Sequence, residues 1–103
     1  LSSLFQAAPA SEENGSTYFI VDDARHKAFL LNDGLGRVEE INLENGSSKI
    51  LSDRNIPNAF NPILEVNSMT LDSKRNRLLV SQFYVPGLLS IDLETGERVY
   101  VSR

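Results

Sequence analysis

The chain says the same thing twice. Residues 40–52 read EINLENGSSKILS, and fifty residues later 90–102 read SIDLETGERVYVS. Laid over one another at that constant offset, 21–52 and 71–102 align without a gap. Identities fall at Asp22/Asp72, Arg25/Arg75, Ile41/Ile91, Leu43/Leu93, Glu44/Glu94, Gly46/Gly96 and Ser52/Ser102. Between them the chemistry runs in parallel, VEEINLENG against LLSIDLETG. Self-similarity at this period marks a repeat architecture, in which one supersecondary unit cannot bury its own apolar faces and needs a neighbour.

What is repeated is a set of strands. Runs of five to seven residues rich in Val, Ile, Leu, Phe and Tyr occupy 17–22, 28–32, 37–43 and 48–52, then 68–72, 77–83, 88–93 and 98–102. Asn, Asp, Gly and Pro punctuate them, the pattern of strands and turns. A helical period is weakly present only in Ser2–Ala10. Gly46 and Gly96 close short hairpin loops, where a left-handed backbone costs glycine nothing. Asp22 and Asp72 each end a strand, where a carboxylate can accept hydrogen bonds from the following amides in an Asx-type turn.

Four antiparallel strands per fifty residues is the content of one β-propeller blade. The predicted fold is therefore all-β, two four-stranded antiparallel blades forming a partial propeller or a ring completed by oligomerisation. Blade 1 spans 17–52, a connecting loop 53–66 and blade 2 67–103; residues 1–16 form an N-terminal segment, a processed leader or a cap.

Composition excludes several roles. The net charge is −4, and the longest basic cluster is SKRNR at 73–77, so nothing supplies the phosphate neutralisation that nucleic-acid binding requires. There is no cysteine, hence no disulfide, thiolate metal site or cysteine nucleophile. No apolar run approaches the roughly 18–20 residues of a membrane-spanning helix, so no membrane partner is expected. Ala8-Pro9-Ala10 before Ser11 has the A-x-A form of a leader-cleavage site, although its proline fits poorly and no charged region precedes it. A periplasmic or secreted location accompanies this reading.

The stretch VNSMTLDSKRNRLLVSQFYVPGLLSIDLETGERVYVS resembles a blade of the six-bladed propellers of the gluconolactonase, paraoxonase and strictosidine-synthase type: an inner strand ending in Asp, a second strand, and a third ending in D..TG. The motif is loose and shared by propellers of many activities. The resemblance implies a channel-top calcium or zinc ion held partly by an asparagine just before the inner strand, the place of Asn67. In that family the ion polarises a lactone carbonyl, so a part of a metal-dependent lactonase or esterase is the alternative to a non-catalytic binding or scaffolding module. A hard divalent ion takes about six oxygen ligands, and the chain offers Asn67 and its neighbour Glu65.

Two blades cannot close a ring, and each large apolar side chain left in water forgoes roughly 1.5–3 kcal/mol. Open faces are expected to expose some of Phe29, Leu31, Ile41, Ile50, Leu79, Ile91 and Tyr100. Three arrangements would cover them: missing blades of a longer chain, other copies of this chain, or Leu1, Leu4 and Phe5 capping one face while a dimer covers the other. The start at Leu1 and the finish at the end of a fourth strand favour the first.

Candidate ligand contacts cluster in the loops 33–36, 53–67 and 83–87, with a small molecule or a protein as ligand. In the long connection Ile56, Phe60, Ile63 and Leu64 are expected to pack down. Glu65, Asn67, Phe83 and Tyr84 are the candidate binding residues. The aromatic pair reads either as a rim that stacks on a ring-bearing ligand or, the simpler reading, as a buried loop anchor. No catalytic set stands out: the single histidine, His26, lies in the turn DARHK at the opposite end of the strands, and no G-x-S-x-G, H-E-x-x-H or phosphate loop is present.

Overall fold

Successive side chains of a strand point to opposite sides, so each run presents two faces whose composition decides what it packs on. The computed structural model describes residues 15–102. Its strands are β1 (Thr17–Asp22), β2 (Lys27–Asn32), β3 (Arg37–Asn42), β4 (Ser48–Ser52), β5 (Val66–Asp72), β6 (Arg77–Gln82), β7 (Leu88–Asp92) and β8 (Arg98–Ser102). Among the described residues helix is limited to single 3-10 turns at Asp23–Arg25 and Ser73–Arg75. The fold is all-β, with two four-stranded antiparallel sheets in the simple orders β1-β2-β3-β4 and β5-β6-β7-β8, neither closed on itself. The readings of Ser2–Ala10, the A-x-A leader and the Leu1, Leu4 and Phe5 cap lie outside the described residues.

The fifty-residue offset holds at the level of single hydrogen bonds. Leu43 N donates to His26 O and Leu93 N to Asn76 O; Gly46 N donates to Asn42 O and Gly96 N to Asp92 O. The Leu43 and Leu93 amides thus carry the β2–β3 and β6–β7 registers one rung further, onto the turn residues His26 and Asn76. His26 and Asn76 are both left-handed, with φ of 55° and 56°. Even the irregularities recur, at Val38/Glu39 in one sheet and Leu88/Leu89 in the other.

The core lies between the sheets. Tyr18, Ile20, Phe29, Leu31, Val38 and Leu51 occupy what is here termed the front of the first sheet. They pack on Met69, Leu71, Leu78, Val80, Leu89, Ile91 and Tyr100 of the second, with Ile63, Val66 and Leu93 completing the cluster. Phe29, Leu31 and Ile91, expected on open faces, are therefore buried, and Ile41 is buried as well, whereas Ile50 is exposed. The edge strands β1 and β5 run side by side.

The main partners of the strand-ending aspartates are arginines rather than the following amides. The Asp22 carboxylate makes no cap bond; it is buried and takes the Arg25 guanidinium at 2.6 Å. The recurring Asp/Arg spacing is thus an i,i+3 ion pair, and Arg25 also reaches Ser73 O at 3.3 Å, tying the two turns together. In the second repeat Asp72 accepts from Arg77 Nε at 3.0 Å and faces Arg75 at 3.5 Å.

The Arg77 hydrogen bond, reinforced by Arg75, holds the Asp72 carboxyl below its ordinary value of 3.8 against a smaller opposing effect of burial. A depressed folded value means that the unfolded chain takes up the proton first. The stabilisation is present above the ordinary value and is lost as pH falls through the depressed one. Urea midpoints measured from pH 7 down to pH 2 should therefore drop below about pH 4, and Asp72→Asn should flatten part of that drop. An acid limb identical in the variant would assign the loss to other carboxylates.

Candidate functional site

The segment 53–65 carries the chain from β4, the last strand of the first sheet, to β5, the first strand of the second, and its shape is set by one side chain. Arg98, at the start of β8, is only 4% exposed. Its Nε donates to Asn61 O at 2.8 Å. Nη1 reaches Ser52 Oγ, Asp53 O and Ile56 O at 2.7, 2.6 and 3.1 Å. Nη2 donates to Asn58 O and Phe60 O, both at 2.8 Å. Asn61 Nδ2 returns a bond to Arg98 O at 2.8 Å. A guanidinium presents five N–H donors in a fixed fork, and here almost the whole fork is spent on loop carbonyls. Burial pushes the Arg98 guanidinium below its ordinary value, and the nearby Asp53 carboxylate opposes that.

This corrects the expectation that apolar residues pin the segment. Ile63 is buried, but Ile56 and Leu64 are exposed and Phe60 is 74% exposed. Backbone carbonyls gathered around a buried cation do the holding instead. Asp53 caps the start of the loop, accepting from the amides of Asn55 and Ile56 at 2.9 and 2.8 Å.

Where the segment meets β5, a second polar cluster joins the sheets. Asp33 Oδ1 accepts from Ser16 N at 2.7 Å, and Oδ2 accepts from Val66 N at 3.0 Å. Residues 16 and 66 are repeat equivalents, so one carboxylate bridges the same amide in both units. The Tyr18 hydroxyl donates to Val66 O, leaving both backbone groups of Val66 in the hands of the first sheet. Arg54 Nη2 donates to Gly34 O at 3.1 Å.

Around this cluster opens a cavity of about 630 Å³, within the range usual for small-molecule sites. Its wall includes Ser16, Tyr18, Asp33 and Gly34 from the first repeat, Arg54, Ile63, Leu64, Glu65 and Val66 from the connection, and Phe83 from the β6–β7 loop. The three loops singled out in the sequence do converge there. Of the candidate residues, Glu65 and Phe83 line the cavity. Tyr84 does not, although its ring lies 6.2 Å from that of Phe83 at an interplanar angle of 44°. Phe83 is 61% and Tyr84 82% exposed, which overturns the buried-anchor reading of the pair.

Asn67 is exposed and outside the cavity wall. It is the extra residue of a bulge, since Val66 pairs with Gln82 and Ser68 with Ser81; such an insertion turns a side chain away from the ladder's alternation. Among the described residues no group of three His, Asp or Glu side chains is placed to hold a metal ion. Asn67 and Glu65 alone therefore do not make the calcium or zinc site that the resemblance implies. His26 sits in its exposed left-handed turn, at the end of β1 and β2 away from the 33–36 loop.

Sequence reasoning missed Asp33, Tyr18 and Arg98, the residues that build the site. The available signal was their departure from the repeat: fifty positions away stand Phe83, Ser68 and Ser48. No family model matches the chain, and no curated protein or solved structure matches it.

Proposed function

We propose that the two sheets are propeller-type blades and that the chain is a non-catalytic binding module, taking a small ring-bearing polar ligand, such as a sugar, in the cavity between its loops. The blade reading draws support from the four-strand meanders, the neighbouring inner strands and the packing of the front of one sheet on the next. The observation that carries the binding reading is the pairing of an exposed aromatic face, Phe83, with a carboxylate in one cavity wall. The Asp33 oxygens are already engaged with backbone amides, whereas Glu65, also on the cavity wall, makes no side-chain hydrogen bond among the described residues, which leaves its carboxylate available to a ligand. An aromatic face stacks on the C–H side of a sugar ring while a carboxylate accepts from its hydroxyls.

Saturation-transfer NMR with a panel of neutral mono- and disaccharides tests this. Transfer to at least one sugar is expected, with amide shifts at Leu64, Glu65 and Phe83. Phe83→Ala should weaken that binding about tenfold, the worth of one stacked ring at roughly 1–1.5 kcal/mol. No transfer from any sugar at millimolar concentration, or binding indifferent to Phe83→Ala, would overturn the assignment.

A further inference from the structure

The ladder between β5 and β6 continues past its last paired residues into the cavity wall. Val66 stands opposite Gln82, and one rung further Phe83 N donates to Glu65 O at 2.9 Å. Glu65 and Phe83 are therefore cross-strand neighbours. Residues so opposed project to one side, with Cβ atoms about 5 Å apart. Both line the cavity, and both are exposed to its solvent.

The charges of the wall do not balance. Among the described wall residues Asp33 and Glu65 contribute two carboxylates and Arg54 a single guanidinium, a net of one negative charge. Both Asp33 oxygens are held by backbone amides, and Arg54 Nη2 is turned to Gly34 O. Glu65 is left as the charged wall group with no side-chain partner among the described residues. A free carboxylate beside the face of an aromatic ring is a pairing that selects a cation. An ammonium meets the carboxylate through a charge-assisted hydrogen bond and the ring through its negative face, whereas a hydroxyl offers the first only as a neutral donor and has no charge for the second.

We propose that the ligand of this cavity carries a protonated amine, as an amino sugar does, with the ammonium seated between Glu65 and Phe83. The inference rests on the sugar-binding reading above and narrows it. Neutral sugars of the same skeleton bind more weakly, and sugars bearing a carboxylate bind more weakly still.

NMR titrations of the 103-residue chain with glucosamine, glucose and glucuronate at about pH 6, where the amine is protonated, test this. Glucosamine should bind about five- to tenfold more tightly than glucose, the combined worth of an exposed ion pair and an exposed cation–π contact. Its advantage should shrink as salt is raised, since exposed charges are screened. Glu65→Gln keeps the size of the side chain and a hydrogen-bond acceptor; in that variant glucosamine should fall to the level of glucose while glucose itself binds as before. Glucose bound as tightly as glucosamine would overturn the ammonium site and leave the sugar-binding reading standing. So would a glucosamine preference that survives Glu65→Gln, or glucuronate bound most tightly of the three, which would move recognition to Arg54. Binding of none of the three at millimolar concentration would overturn both readings.

Discussion

Replacing Arg98 by methionine is expected to destabilise the fold by about 3–5 kcal/mol, because the carbonyls gathered around the guanidinium are left facing one another with no donor. The carbonyls of Asp53, Ile56, Asn58, Phe60 and Asn61, with the Ser52 hydroxyl, all point at this one group. A buried acceptor that loses its partner keeps its full desolvation cost. Methionine keeps most of the stem's packing, so the loss reads the polar contacts rather than a cavity. For a domain of this size such a change amounts to a fall in Tm of roughly 15–30 °C. Arg98→Lys should recover only part of it, since an ammonium has three donors and no planar fork. Urea unfolding measures the energy, and hydrogen exchange localises it: amides of 53–61 should lose protection before those of β2 and β6. A change within about 1 kcal/mol in Arg98→Met would mean that the loop is held by something other than this side chain.

The second large effect comes from a comparison of two glycines that look interchangeable. Gly46 and Gly96 stand at the same place in the repeat, with φ of 79° and 77° and the same hydrogen bond from their amides. Alanine at either position is charged the left-handed conformation, about 1–2 kcal/mol. Beyond that the sites differ. A Cβ on Gly46 meets nothing within 4 Å, whereas one on Gly96 falls 1.9 Å from Leu51 O, too close for any side chain. Gly96 O also accepts from Ser52 Oγ at 2.8 Å, and Ser52 is one of the Arg98 acceptors. Gly96→Ala must push the β7–β8 turn off the end of β4 and disturb the arginine cluster with it. We expect Gly46→Ala to cost about 1 kcal/mol and Gly96→Ala at least 3 kcal/mol. Paired denaturation curves decide this; equal costs would show that the turn moves aside freely and that the contact between sheets is soft at this point.

The two cases also separate what the chain announces from what it conceals. The strands were legible because alternation and turn chemistry are local: Leu78, Val80, Leu89 and Ile91 lie in runs that have no other sensible use, and every hairpin turn but the first, where His26 is left-handed, carries a glycine or asparagine at its left-handed position. The convergence of the 33–36, 53–65 and 83–87 loops followed from connectivity. The energetics of the site did not, since Arg98, Asp33 and Tyr18 act on backbone groups 33–48 positions away in sequence. A backbone carbonyl carries no residue-specific mark, so no motif records that it needs a donor.

The sequence by itself determined two equivalent four-stranded units, their turns and the polar character of the loops, because strand period and turn conformation are settled within a few neighbouring residues. Only the tertiary structure decided which faces meet, why Gly96 tolerates no side chain while Gly46 has room, and that a buried arginine rather than apolar packing shapes the connection. Those outcomes depend on distances across the space between the two sheets, and no local stretch of chain contains them.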